Sequence, residues 1–131
     1  MNIQVSRCVG SYDFCHPSKK QANLSLRGLP EGCPFPQVSC CVEIGSDHDM
    51  DIDDETDPMD VINAMVNYGK RCLYSSSLER YVSIQKWMEE NEKTWRKNWL
   101  DGRLAYATAQ LERAKKKLTS IQIELDELEE I

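Results

Sequence analysis

The C-terminal quarter of this 131-residue chain carries an uninterrupted heptad repeat. Apolar residues recur there with alternating spacings of three and four, which is the pattern of a helix that buries one stripe against another helix. The eight positions, called the heptad seam below, are Leu104, Ala107, Leu111, Ala114, Leu118, Ile121, Leu125 and Leu128. Water penalises an exposed apolar stripe of this length, so the sequence predicts a coiled coil over residues 104–131.

Two kinds of partner helix could cover the heptad seam. The stretch "LERYVSIQKWMEENEKTWRKNWL", residues 78–100, predicts a second helix, with Ser76 as its cap and Glu79 completing a capping box. Asp101 and Gly102 predict a kink or a turn after it. An intramolecular hairpin turning at "LDGR" would then cover the seam. We favour self-association, with a dimer as the expected state, because Leu alternating with small or branched residues suits helix pairing between chains.

Three N-terminal segments alternate apolar and polar residues, as strands with one buried face do. They are "NIQVSRCV" (residues 2–9), "ANLSL" (22–26) and "QVSCCVEI" (37–44). Between the second and third, "RGLPEGCPFPQ" contains too much Gly and Pro to continue a strand and predicts a long hairpin connection. The sequence therefore predicts a small antiparallel sheet.

The stretch "DPMDVINAMVNYGKRCL", residues 57–73, predicts a short helix. Asp57 can accept hydrogen bonds from its first N–H groups, Pro58 suits its first position, and Asp60 complements its positive end. Its apolar face would cover the sheet and consists of Val61, Ile62, Met65, Val66 and Leu73.

The predicted fold class is α+β: a small antiparallel β-sheet covered by a short helix, followed by long C-terminal helices that end in a coiled coil. We expect a small α+β domain over residues 1–74 and a helical region over residues 75–131.

The negative charge is concentrated in "GSDHDMDIDDETDPMD", residues 45–60, which holds eight carboxylates and no Lys or Arg. Without them the net charge of −6 would be +2, so the acidity is local and no basic footprint for duplex DNA appears. The run lacks the turn glycine and the closing Glu of a calcium loop. We interpret residues 45–57 as an acidic linker, the acidic segment below. Its candidate surface for a basic protein partner is Asp47, Asp49, Asp51, Asp53, Asp54 and Glu55.

A second candidate site lies where Trp and basic residues alternate before the heptad repeat. Aromatic rings can stack on a nucleobase while Arg and Lys hold phosphates. The residues are Trp95, Arg96, Lys97, Trp99 and Arg103. The commoner use of a Trp stripe at helical spacing is core packing, and that interpretation is the stronger one. The stripe comprises Tyr81, Ile84, Trp87, Met88, Trp95 and Trp99.

The remaining chemistry-bearing residues argue against an enzyme. The six cysteines include no CxxC pair, and their number falls short of a disulfide scaffold, so we expect reduced structural thiols and no metal or cofactor. Cys15 and His16 are adjacent and would point to opposite faces of a strand. No glycine-rich phosphate loop, signal peptide or run of about 18 apolar residues occurs, so we expect a cytoplasmic protein that binds no membrane.

Residues 19–73 resemble a module of small phage-encoded accessory proteins. The similar stretches are "SKKQANLSLRGLP", "QVSCCVEI", an acidic linker and the helix "DPMDVINAMVNYGKRCL". The resemblance implies a strand, strand, helix unit from a virus or prophage and assigns no catalytic or binding residue. Non-enzymatic phage proteins often bind host factors, including components of host defence, so the resemblance implies an antagonist acting in the host cytoplasm.

These observations lead to three functional hypotheses. The leading one is a non-enzymatic, oligomeric, phage-encoded antagonist of host immunity that binds a basic host protein through the acidic segment. The alternatives are sequestration of a small anionic nucleotide at a subunit junction, and a structural or assembly protein of a virion joined by its heptads.

Overall fold

The computed structural model describes residues 2–11, 20–43, 52–53, 55–71 and 77–130. The chain forms three strands and then three helices: β1 (Gln4–Ser11), β2 (Lys20–Arg27), β3 (Gln37–Glu43), α1 (Pro58–Arg71), α2 (Leu78–Glu90) and α3 (Glu92–Glu129). The strands form one antiparallel sheet in the order β1-β2-β3. The predicted α+β class is confirmed.

The alternation of the strand sequences produces one buried and one polar face of the sheet. Val5, Leu26 and Val38 lie in one cross-strand row on the buried face. Ser6, Ser25 and Ser39 form the next row, and the Ser6 and Ser25 hydroxyls are hydrogen-bonded at 2.8 Å. The predicted inward residues of the three strands are confirmed as core: Ile3, Val5, Ala22, Leu24, Leu26, Val38, Cys40 and Val42. Ile44 lies outside the described residues.

The Gly and Pro-rich connection joins β2 to β3 as predicted. Gly28 and Gly32 have φ values of 72° and 101°, in the left-handed region that suits glycine. The Leu29 N–H donates to the Pro36 carbonyl at 3.1 Å, which closes the base of the connection, and the Leu29 side chain is buried. The connection is therefore part of the folded structure.

Helix α1 begins at Pro58 with the predicted cap. The Met59 N–H donates to the Asp57 Oδ1 at 2.9 Å, which satisfies one of the free donors of the first turn. Val61, Ile62, Met65 and Val66 are buried in the shared core. Leu73, predicted for the same face, lies outside the described residues.

The predicted break at Asp101 and Gly102 is wrong, because the chain breaks at Asn91 instead. Helix α2 ends at Glu90, Asn91 has φ −124° and ψ 35°, and α3 then runs unbroken for 38 residues. The Asn91 side chain donates to the Trp87 carbonyl at 2.9 Å, and the Trp95 indole N–H donates to the Met88 carbonyl at 2.7 Å. The Trp87 carbonyl also accepts the Asn91 backbone N–H at 2.9 Å, so it is the indole bond that supplies a partner to a carbonyl that the end of α2 leaves without one.

Gly102, inside α3, allows a close contact between this helix and Asn2. A Cβ atom at this position would lie 2.6 Å from the Cβ of Asn2. Asn98, one turn earlier, accepts a bond from the Ile3 N–H at 2.8 Å through its side chain, and its carbonyl accepts from the Asn2 amide at 2.7 Å. The glycine thus lets the start of the sheet approach the helix.

The start of the second predicted helix differs from the expected capping box. The N-cap is Ser77, which makes no side-chain capping hydrogen bond. Ser76 lies outside the described residues, as does the predicted domain boundary between residues 74 and 75, which stays a prediction.

The sheet and all three helices share one hydrophobic core. Trp95 and Trp99 of α3 join the inner face of the sheet and the buried residues of α1 and α2 in this core. The helical contributions from α2 and α3 are Tyr81, Ile84, Met88, Trp95 and Trp99, with Trp87 half-buried beside them. The interpretation of the Trp stripe as core is confirmed. Among the described residues, no helix has the length and apolar character needed to cross a membrane.

Candidate functional site

The heptad seam lies on a helix that extends far beyond the core. Every residue from 104 to 130 is exposed. The large seam side chains have these exposed fractions: Leu104 67%, Leu111 54%, Leu118 66%, Ile121 46%, Leu125 49% and Leu128 66%. Because α3 does not turn at "LDGR", the intramolecular hairpin is wrong as an explanation of the seam. The coiled coil between chains stays a prediction.

An open groove of about 780 Å³, the α3 groove, lies where α3 leaves the core. Its helical wall includes Trp99, Arg103, Tyr106 and Ala107. Four consecutive residues, Ile3 to Ser6, line its other side. Successive strand residues point to opposite faces, so a groove that touches all four runs along the edge of β1. Within the described part of the chain, no strand pairs with that edge.

Arg103 is the charged residue of the groove's helical wall. Its guanidinium lies 4.9 Å from the centre of the Trp99 ring and 3.8 Å from the Glu55 carboxylate. The ion pair is exposed on both sides, so its contribution to stability is small. Trp99 itself is 5% exposed, which leaves little of its ring for a ligand to stack on.

Arg96 has a structural role in this arrangement. Both of its terminal nitrogens donate to the Asp57 Oδ2 at 3.2 Å, and its Nε donates to Glu92 at 3.3 Å. The guanidinium also lies 4.4 Å from the centre of the Trp95 ring. Trp95 is fully buried and Lys97 is exposed. The predicted nucleotide-binding set is therefore divided: Trp95 and Arg96 hold the core together, and only Trp99 and Arg103 reach the groove.

The C-terminal end of the acidic segment contacts α3. Glu55 and Asp57 contact Arg103 and Arg96, which are seven residues apart and so share one face of α3. That spacing was the signal in the sequence that could have indicated a shared acidic partner. Asp53 and Glu55 are exposed, and the Asp53 Oδ1 accepts the Glu55 N–H at 2.8 Å. The other predicted partner-binding residues, Asp47, Asp49, Asp51 and Asp54, lie outside the described residues.

A second, smaller pocket of about 170 Å³ lies on the polar face of the sheet and was not predicted. We call it the sheet pocket. Two guanidinium groups line it, from Arg27 at the end of β2 and Arg80 in the first turn of α2, and the described residues of its lining include no carboxylate. Arg80 also lies 5.0 Å from the centre of the Phe35 ring. Its other polar lining residues are Asn23, Ser25, Gln37 and Ser39. Among the described residues, neither arginine forms an ion pair.

The described cysteines are thiols that are not in disulfides: Cys8, Cys33, Cys40 and Cys41. Cys40 is buried and Cys41 exposed, as the strand assignment predicts. Burial raises the pKa of the Cys33 thiol, and a hydrogen bond from the Phe35 backbone partly opposes that rise. In the part of the chain that the structure describes, no three His, Cys, Asp or Glu side chains are grouped to hold a metal ion. Cys15 and Cys72 lie outside that part.

Comparison with protein-family models, with curated proteins and with solved structures found no match to this chain.

Proposed function

We propose that this protein is a self-associating binding protein whose copies are joined by the heptad seam. The observation that carries the proposal is the exposure of the seam: its six large side chains are between 46% and 67% exposed on a helix that leaves the core. Covering half of a Leu or Ile side chain contributes roughly 1 kcal/mol, and each copy offers six such side chains. A second copy covers them with an identical stripe.

Two charged substitutions in the seam test this proposal. Leu111→Glu with Leu118→Glu should convert the oligomer to a monomer, because pairing would bury four unpaired carboxylates across the two copies. Light scattering after size-exclusion chromatography measures the mass. The matched control is Ala109→Glu with Lys116→Glu, which adds the same two carboxylates on the face of α3 opposite the seam and should leave the oligomer intact. A wild-type protein that is monomeric at micromolar concentration contradicts the proposal.

We further propose that the acidic segment binds a basic protein. Asp53 and Glu55 are exposed, and together with the other carboxylates in the sequence of this segment they would steer a positively charged partner by long-range attraction. The resemblance of residues 19–73 to phage accessory modules supports a host-defence protein as that partner, with this chain as a non-enzymatic, phage-encoded inhibitor in the host cytoplasm.

Neutralising the acidic segment tests the partner. The variant Asp47→Asn, Asp49→Asn, Asp51→Asn, Asp53→Asn and Asp54→Asn should keep or raise the melting temperature, because mutual repulsion is removed. It should also lose salt-dependent binding of basic proteins captured from host cells and identified by mass spectrometry. Unchanged capture by this variant contradicts a role of the acidic segment.

The sheet pocket supports a second candidate function, the binding of a small anionic nucleotide. Arg27 and Arg80 without described carboxylate partners could hold a phosphate group, and Gln37 and Ser39 add hydrogen-bonding groups. The pocket volume of about 170 Å³ suits a phosphate group, with the rest of a nucleotide outside it.

Calorimetric titration with adenosine monophosphate tests the second candidate. Binding of the monophosphate, and none of adenosine, is expected for the wild-type protein. Arg27→Gln and Arg80→Gln should each weaken binding, whereas Arg113→Gln, on the exposed part of α3, should not. Equal binding by all three variants would place the ligand elsewhere.

A further inference from the structure

We infer that α3 pairs antiparallel with α3 of a second copy, so that the second copy's acidic C-terminal end forms one side of the α3 groove. This inference rests on the self-association proposed above and adds its direction and its consequence for the groove. Three observations carry it: the sizes of the seam residues, the charges along α3, and the position of Ala107 in both the seam and the groove.

The sizes of the seam residues fit an antiparallel pair. In a parallel pair in register, each seam residue faces the same residue of the second copy, so Ala107 faces Ala107 and Ala114 faces Ala114. Those two layers would leave voids beside the adjacent Leu layers. In an antiparallel pair centred on residue 116, Ala107 faces Leu125 and Ala114 faces Leu118 of the second copy. Every layer then contains at least one Leu, and small residues meet large ones throughout.

The charges along α3 favour the same direction. The last turns, residues 124–130, carry five carboxylates and no Lys or Arg: Glu124, Asp126, Glu127, Glu129 and Glu130. A parallel pair brings the two acidic ends together, whereas an antiparallel pair separates them and places each one beside residues 102–108, whose charged residue, Arg103, lies 3.8 Å from the Glu55 carboxylate of its own copy. The basic cluster at residues 113–117 lies at the centre of the helix pair in both directions. Repulsion within that cluster therefore does not distinguish them, and the acidic ends decide.

The α3 groove lies where the second copy's C-terminal end would pack. Ala107 belongs to the heptad seam and also lines the groove, so a helix on the seam borders the groove. Arg103 and Gln110 flank the seam on the groove side, and both line the groove. In the antiparallel register, the second copy's Glu124 occupies the equivalent flanking position on that same side. The groove of each copy therefore has a wall from β1, a wall from its own α3 and a border from the second copy.

Distances between spin labels test the direction. The six native cysteines are avoided by attaching labels to a genetically encoded keto residue at Ala105 or at Lys116, both exposed and both outside the seam. In the antiparallel pair, the two sites at residue 105 are separated by 22 helical residues, about 33 Å along the axis. In a parallel pair they are separated only by the width of the helix pair, whose axes lie about 10 Å apart. The two sites at residue 116 are close together in both the parallel and the antiparallel pair.

Pulsed electron paramagnetic resonance measures these distances. A short distance at residue 116 with a long one at residue 105 is the expected result. Short distances at both sites show a parallel pair, which overturns this inference and leaves self-association standing. The absence of dipolar coupling at both sites, with a monomeric mass, overturns both.

Photo-crosslinking tests the composition of the groove. Tyr106 lines the groove and is 57% exposed, so Tyr106→benzoylphenylalanine can react with whatever lies beside it. After trypsin digestion, the expected product joins the peptide of residues 104–113 to the C-terminal peptide of residues 118–131. A product that joins two copies of the 104–113 peptide, or a dimer without a crosslink to the C-terminal peptide, contradicts the inferred groove.

Discussion

The Arg96 guanidinium donates two hydrogen bonds of 3.2 Å to the Asp57 Oδ2, and the Oδ1 of the same carboxylate accepts the Met59 N–H at 2.9 Å. One carboxylate thus caps the start of α1 and attaches it to the part of α3 inside the core. The end of the acidic segment therefore has a structural role, because it links α1 to α3.

Substitution of Asp57 should separate these two contributions. Asp57→Ala removes the cap and the ion pair and should lower the free energy of unfolding by about 1–2 kcal/mol. Asp57→Asn keeps an oxygen for the Met59 N–H and should cost less, because a pair that is about a third exposed contributes little. Urea unfolding gives both values. Asp60→Asn, in the same first turn but exposed, is the control for the helix dipole, with an expected loss of about 0.3–1 kcal/mol. Equal losses for Asp57→Asn and Asp57→Ala would show that the cap is not the source of the stability.

Gly102→Ala should destabilise the protein although Ala normally favours a helix. Replacing glycine by alanine in an exposed helix stabilises it by about 1 kcal/mol. Here the new Cβ would lie 2.6 Å from the Asn2 Cβ, so the start of the sheet must move. Asn2→Gly removes the clashing atom, and the double variant should recover stability relative to Gly102→Ala. Thermal unfolding of the four proteins measures the coupling. A simple gain of stability from Gly102→Ala would show that residue 2 does not pack against α3.

The thiols should differ in their reaction with an alkylating reagent. Cys8 and Cys41 are exposed and should react first, whereas Cys40 is buried and should react only when the protein unfolds. Cys33 should be slow at neutral pH, because its raised pKa lowers the thiolate fraction, and its rate should increase at alkaline pH. Peptide mass analysis at timed intervals follows each residue. Native disulfides or stoichiometric zinc would contradict the assignment of reduced structural thiols.

Tyr81 should make stability depend on alkaline pH. Its hydroxyl donates to the Ser39 carbonyl at 3.0 Å, and burial is the main cause that raises its pKa above the ordinary value of about 10. Because the folded state holds the proton more tightly than the unfolded state, this stabilisation is complete below about pH 10 and decreases above it. Tyr81→Phe should cost about 1 kcal/mol at neutral pH through the lost hydrogen bond, and should flatten the decrease above pH 10. Urea unfolding between pH 8 and pH 11 measures both effects. An unchanged alkaline slope in the Phe variant would assign that slope to other groups.

The positions of most helices and strands, and the faces they bury, were predictable from local sequence patterns. Alternation with a period of two placed Ala22, Leu24 and Leu26 on the inner face of the sheet, and the helical spacing of Val61, Ile62 and Met65 placed them in the core. These patterns are local, because the side-chain direction follows from the backbone period. The α+β class followed from the order of the elements.

The break between the long helices and the pairing of the charged residues depend on contacts between distant parts of the chain. Gly102 does not end α3, although glycine often ends helices. Its missing Cβ instead makes room for Asn2 beside the continuous helix. Asn91 became the break, since Trp95 and the Asn91 side chain bind the last carbonyls of α2. Contacts between residues 39 positions apart, as in the pair of Arg96 with Asp57, have no local pattern. They depend on how the elements pack, so the division of the Trp and Arg residues between core and groove could be determined only from the folded chain.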